Sequence, residues 1–91
     1  MFDTIELAKK LISYESVTPA KQDIFDFLIK IFKEQGFTTK QLNFDGDESY
    51  EVINLMATFG SPNTNAKHFN FLCHVDVVPP GNIEDWDTHP F

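Results

Sequence analysis

Cysteine and basic residues are both scarce in this sequence of 91 residues. The only cysteine, Cys73, excludes an intramolecular disulfide and favours a reducing compartment. The seven Lys and Arg residues are outnumbered by 14 Asp and Glu residues, which gives a formal net charge of −7. A surface that binds nucleic acid or an anionic membrane needs clustered Lys and Arg. We therefore expect neither nucleic acid nor a membrane as a partner.

The sequence also lacks an apolar run long enough to cross a bilayer. Its first residues include Asp3 and Glu6, where a signal peptide needs a positively charged region. The composition is nevertheless 42% hydrophobic and includes ten Phe, which is typical of a globular chain and not of a disordered one. We expect a soluble, cytoplasmic chain that forms at most one domain with a small core.

A first helix is predicted from the N-terminus to about Tyr14. Asp3 or Thr4 can cap it, and an apolar stripe follows at helical spacing. The stretch Ser16–Pro19 ends this helix, because the residue before a proline is pushed out of the helical region.

A second helix is predicted over about residues 21–35, and Gly36 provides a suitable left-handed stop. Apolar residues occupy a wide face of this helix, which indicates packing against a sheet. Three strands are then predicted, at Phe37–Phe44, Tyr50–Phe59 and Phe69–Val75. The order helix, helix, strand, strand, strand is consistent with the opening of an α/β or α+β domain.

The third predicted strand leads into the main candidate site, the pair His74 and Asp76. Residues i and i+2 of a strand point to the same face, so the two side chains can lie side by side. An imidazole beside a carboxylate is the usual way to fix a metal-binding tautomer. A structural histidine that a nearby acid satisfies explains the two residues equally well, and both interpretations stay open. A catalytic zinc needs three or more protein ligands, so His74 cannot hold one alone.

The remaining candidate residues favour structural roles. His68 lies at a loop–strand junction and is predicted to be solvated, and His89 is predicted to pack or to lie at the surface. Cys73 falls in an apolar run, which favours a small core residue over a nucleophile. The acids of Asp45–Glu48 lack the spacing of a calcium loop and indicate a polar turn.

Residues Cys73–Gly81, with Trp86 and Pro90-Phe91 after them, resemble the zinc-binding segment of the aminoacylase/carboxypeptidase family of co-catalytic zinc metallohydrolases. The two predicted helices and Ser16–Pro19 resemble the opening of that family, so the resemblance covers essentially the whole chain. It implies that residues 1–91 are the N-terminal portion of an α/β, zinc-exopeptidase-like catalytic domain.

The resemblance also implies a role for each residue of the pair. His74 would be a ligand to one of two zinc ions, with cobalt as a possible substitute, and Asp76 would be the active-site acid that orients it. The family hydrolyses an amide with a metal-bridging water that a glutamate activates. The implied substrate is a small N-acylated amino acid, with an N-succinyl amino acid favoured, and the intact enzyme is expected to be a homodimer.

Two departures from the family pattern accompany the resemblance. Cys73 stands where the family usually has glycine, which reduces backbone freedom before the histidine. The other metal ligands, the catalytic base and the dimerising lid domain are expected downstream of these residues. We therefore expect a truncated chain that is inactive alone. A related deacetylase, a zinc carboxypeptidase or a decayed fragment without catalysis are the alternatives.

Overall fold

The computed structural model describes residues 3–45, 50–63 and 65–91. Two helices precede an antiparallel pair of strands: α1 (Thr4–Ile12), α2 (Gln22–Glu34), β1 (Thr38–Phe44) and β2 (Val52–Thr58). A short 3₁₀ helix follows at Ile83–Asp85. Two helices followed by a sheet agree with the predicted α/β class, and the boundaries of α1, α2, β1 and β2 lie within two residues of their predictions.

Helix α1 begins at the predicted cap and ends two residues earlier than predicted. The carboxylate of Asp3 accepts a hydrogen bond from the backbone N–H of Ile5 at 2.8 Å. At the other end, the N–H of Tyr14 donates to the carbonyl of Leu11 at 3.3 Å, an i to i−3 bond that tightens the last turn. The regular helix therefore stops at Ile12.

The end of α2 confirms the predicted glycine stop. Gly36 has φ of +86°, a left-handed conformation that an L side chain rarely adopts. The N–H of Phe37 donates to the carbonyl of Phe32 at 2.9 Å, and that of Gly36 donates to Lys33 at 3.0 Å. These two bonds form a Schellman motif. The rings of Phe32 and Phe37 complete it with an edge contact at 5.1 Å between centroids.

Helix α2 packs against both strands of the sheet, as the wide apolar face of that helix predicts. Ile24, Phe25 and Ile31 are its buried hydrophobic residues within the described ranges. The strands pair with Thr38 opposite Thr58 and Phe44 opposite Val52. The core is small, which agrees with the length of the chain.

The predicted third strand at Phe69–Val75 is wrong for the part of the chain that the structure describes. These residues make no ladder, and Phe69, Phe71 and Leu72 are 84%, 85% and 93% exposed. A strand forms only where a neighbour satisfies its N–H and C=O groups, and the described sheet consists of β1 and β2 alone. The prediction of Cys73 as a core residue is wrong for the same reason, since Cys73 is exposed.

The polar turn predicted at residues 45–49 lies mostly outside the described residues, because positions 46–49 are not among them. Among the residues that are described, no helix combines the length and the apolar character needed to cross a membrane.

Residues 69–72 present exposed apolar side chains, so we expect the isolated chain to self-associate as its concentration rises. The double substitution Phe71→Asn with Leu72→Asn should increase the monomer fraction at equal concentration in sedimentation velocity. Ile5→Gln is the matched control, because Ile5 is also exposed, at 66%, but lies on α1. A parent chain that stays monomeric at every concentration would contradict this expectation.

Candidate functional site

The candidate site is built where the loop after α1 meets the segment that carries His74. Val17 and Val77 form an isolated parallel bridge. The N–H of Thr18 donates to the carbonyl of Val77 at 3.1 Å, and the N–H of Val77 donates to the carbonyl of Ser16 at 3.0 Å. Residues 16–18 and 75–77 therefore lie side by side.

Ser16 adds a side-chain bond to this junction. It is only 5% exposed, and its Oγ donates to the carbonyl of Val75 at 2.8 Å. A buried hydroxyl is tolerated when it has a partner, and this one closes a contact across 59 residues of sequence. The junction thus holds the backbone immediately after His74.

The geometry of His74 fixes which ring nitrogen carries the proton. Its Nδ1 lies 3.1 Å from Oδ1 of Asp76 and 3.0 Å from the carbonyl oxygen of the same residue. A carbonyl oxygen can only accept, so Nδ1 must be the donor. A neutral His74 then presents its lone pair on Nε2, and the side chain is 84% exposed.

Asp76 is held from the opposite side by Thr18. The Thr18 Oγ1 hydroxyl donates to Oδ2 of Asp76 at 2.7 Å. This bond is the main cause that lowers the pKa of the Asp76 carboxyl; partial burial opposes it, and the His74 contact adds to it. Asp76 is therefore a carboxylate near neutral pH and accepts from both neighbours.

The other candidate residues lie apart from this pair. His68 is exposed, and Nδ1 of His89 lies 3.1 Å from the carbonyl oxygen of Phe91, a local contact. Within the described ranges, no three His, Cys, Asp or Glu side chains are grouped so that they could hold a metal ion. Of the predicted site residues, the structure brings together His74 and Asp76.

A groove of about 600 Å³ opens beside His74. Its lining is mostly apolar and includes Leu11, Tyr14, Val75, Trp86 and Phe91. The indole N–H of Trp86 donates to the carbonyl of Pro80 at 3.0 Å, which closes the loop beside the groove. The groove offers apolar contact next to the imidazole and few polar groups.

Several curated proteins that resemble the chain are named succinyl-diaminopimelate desuccinylase. The chain is 43% identical over 90 residues to the succinyl-diaminopimelate desuccinylase of Pelagibacter ubique, covering 99% of this chain and 23% of that protein. It is 44% identical over 91 residues to the desuccinylases of Wolbachia pipientis (98% of this chain, 21% of the relative) and Methylococcus capsulatus (100% and 22%). This chain matches a segment of the succinyl-diaminopimelate desuccinylases.

The match confirms the resemblance found in the sequence. The chain spans about a fifth of the length of these curated relatives. No family model and no solved structure matches the chain.

Sequence reasoning missed two residues of this desuccinylase-like segment, Ser16 and Thr18. Both fell in the stretch interpreted as the end of the first helix. Their i, i+2 spacing just before a proline is a weak sign of a short extended segment with two polar groups on one side. Their partners lie 58 and 59 residues away, which no local pattern reveals.

Ser16→Ala should lower the free energy of unfolding by about 1 kcal/mol, because it removes the bond to Val75 and leaves that carbonyl without this donor. Urea unfolding followed by circular dichroism measures the change. Ser13→Ala is the control, since the exposed Ser13 bonds only locally, to the carbonyl of Lys10. Equal losses in both variants would show that the long-range bond has no special effect.

The lowered pKa of Asp76 predicts a pH-dependent contribution to stability. A carboxyl whose pKa falls on folding stabilises the folded state above its unfolded pKa, and this contribution is lost as pH falls through the folded pKa. Relative to Asp76→Asn, the parent should therefore lose unfolding free energy as the pH falls below about 4, the ordinary pKa of an aspartate. Parallel pH profiles for the two proteins would contradict the shift.

Proposed function

We propose that this chain is the N-terminal part of the catalytic domain of a metal-dependent amide hydrolase. The proposed reaction converts N-succinyl-LL-2,6-diaminopimelate to succinate and LL-2,6-diaminopimelate, in lysine and diaminopimelate biosynthesis. The observation that carries the proposal is the orientation of His74, whose Nδ1 is bonded to Asp76 while Nε2 has no hydrogen-bond partner among the described residues. The names of the relatives support the reaction and its substrate.

His74 and Asp76 fit one part of a zinc or cobalt site, namely one ligand and the acid that orients it. A histidine that ligates a metal usually donates its other ring N–H to a carboxylate or carbonyl, which fixes the tautomer and raises the basicity of the ligating nitrogen. His74 has both kinds of acceptor at Nδ1, so Nε2 would be the ligand atom. Asp76 would orient the imidazole. A bound metal supplies the polarisation of the amide carbonyl and an activated water.

The groove beside His74 is a poor match for the substrate itself. N-succinyl-diaminopimelate carries several carboxylates, whereas the lining of the groove is mostly apolar. A carboxylate is recognised by Arg, Lys or convergent N–H donors. We therefore propose that substrate recognition, the remaining ligands and the catalytic base come from the part of the enzyme that this chain does not span. A homodimer and a cytoplasmic location also remain predictions.

The isolated chain should show no measurable desuccinylase activity with added zinc or cobalt, because one histidine cannot hold the metals and the described residues contain no group of three side chains that could. Release of succinate from N-succinyl-diaminopimelate is the measurement. A heat-denatured sample sets the background rate. Turnover above that background would contradict the assignment of the missing groups to another part of the enzyme.

A chimera tests whether His74 is a competent ligand. Residues 1–91 replace the matching segment of the Methylococcus capsulatus relative, to which the chain is 44% identical. We expect the chimera to hydrolyse the succinyl substrate, and His74→Ala within it to lower kcat/KM by at least about 100-fold. His68→Ala is the control, since His68 is exposed and lies outside the pair. A chimera with full activity after His74→Ala would overturn the ligand role.

The DNA downstream of residue 91 separates the proposed parentage from the alternatives. A continuation that encodes a Gly-Arg-Gly…Asp segment and then Glu-Glu would support an intact desuccinylase-like enzyme. Its product can then be assayed with succinyl-diaminopimelate, acetylornithine and a carboxypeptidase substrate. A stop codon together with an intact cellular mass of 91 residues would support a decayed fragment instead.

A further inference from the structure

The hydroxyl of Thr18 connects the loop after α1 to the pair His74 and Asp76. Its Oγ1 lies 2.7 Å from Oδ2 of Asp76 and 3.4 Å from the carbonyl oxygen of Val77. A hydroxyl has one proton to donate, and the nearer acceptor is also charged. The proton of Thr18 is therefore directed to Asp76.

The two oxygens of Asp76 serve different partners. Oδ2 accepts from Thr18, and Oδ1 faces Nδ1 of His74 at 3.1 Å. A carboxylate is planar, so a donor that fixes one oxygen also limits where the other can lie. The orientation of the imidazole is thereby linked to the hydroxyl of Thr18.

Thr18 is itself well placed to transmit this orientation. Its backbone N–H donates to the carbonyl of Val77 at 3.1 Å, so its main chain is fixed independently of the hydroxyl. Its β-branched side chain restricts rotation about χ1. The position of Oγ1 is thus set by the junction between residues 16–18 and 75–77.

We propose that Thr18 is a positioning residue that acts on His74 through Asp76. By holding the Asp76 carboxylate, Thr18 acts together with the backbone carbonyl of Asp76, which lies 3.0 Å from Nδ1, to keep His74 in the tautomer with the proton on Nδ1 and the lone pair on Nε2. The effect of Thr18 on the tautomer of His74 needs no metal. The further step, in which this tautomer presents Nε2 to zinc or cobalt, rests on the proposed function. The hydrogen bonds from Thr18 through Asp76 would orient the imidazole of His74 to ligate a divalent metal.

The alternative is that Thr18 only anchors the loop. Thr18→Val separates the two roles, because valine keeps the β-branched shape and the backbone bond to Val77 and lacks only the hydroxyl. Thr18→Ser restores the hydroxyl on a smaller side chain. Thr38→Val is the matched control, since Thr38 is an exposed threonine on β1, away from the site.

The experiment measures the tautomer of His74 in the full chain. The chain has three histidines, so ¹⁵N labelling of histidine alone gives few signals. Long-range ¹H–¹⁵N correlation at about pH 8, above the ordinary pKa of histidine, reports which nitrogen is protonated. His68→Gln and His89→Gln assign the remaining signal to His74.

The parent, Thr18→Ser and Thr38→Val should all show the Nδ1–H tautomer of His74. Thr18→Val should show a mixture of both tautomers while its circular dichroism spectrum stays that of the folded parent. An unchanged tautomer in Thr18→Val would overturn the proposal. A dominant Nε2–H tautomer in the parent would also overturn the proposal, and this measurement does not depend on the folding of any variant.

Addition of zinc to the chimera with the Methylococcus capsulatus relative, in its parent and Thr18→Val forms, separates this proposal from the proposed function, because the isolated chain lacks a group of metal ligands in its described residues. Zinc should shift the Nε2 resonance of His74, and Thr18→Val should need about tenfold more zinc for the same shift. Equal zinc dependence in the parent and Thr18→Val would contradict the link to metal binding. A tautomer change in Thr18→Val without any zinc response at Nε2 would support the positioning role of Thr18 and contradict the ligand role of His74.

Discussion

The junction between residues 16–18 and 75–77 is the contact on which the site depends. Two backbone hydrogen bonds around Val17 and Val77, and the buried bond from Ser16 to Val75, join parts of the chain 59 residues apart. Without this junction Thr18 would not meet Asp76, and the pair at residues 74 and 76 would lie on an unrestrained segment. The polar bonds of this junction therefore place the chemistry.

The sequence predicts those parts of the fold that local patterns determine. Both helices, the left-handed Gly36 and the pairing strands β1 and β2 follow from apolar periodicity and turn residues within a few positions of one another. The third strand shows where this reasoning stops. An apolar run such as Phe69–Val75 indicates that a segment is suited to a buried strand, but it does not supply the neighbours that a ladder needs.

The same distinction between local and long-range contacts applies to the site. His74 and Asp76 are two residues apart, so their spacing alone predicts that their side chains can meet, and Nδ1 lies 3.1 Å from Oδ1. Thr18 is 58 residues from Asp76, and no periodicity of a single sequence joins them. The polar character of Ser16 and Thr18 is visible in the sequence, but their partners become visible only when residues 16–18 and 75–77 are placed together.

The site combines a preset orientation with an open environment. Thr18, Asp76 and His74 form a connected set of hydrogen bonds, yet the imidazole is 84% exposed. In water each such bond contributes only about 0.5–1.5 kcal/mol, because the solvent competes for every donor and acceptor. Exclusion of that solvent would strengthen the hydrogen bonds among all three residues at once, since hydrogen bonds and charges act more strongly at lower dielectric. The chain thus sets the direction of Nε2, whereas the strength with which it is held depends on what encloses it.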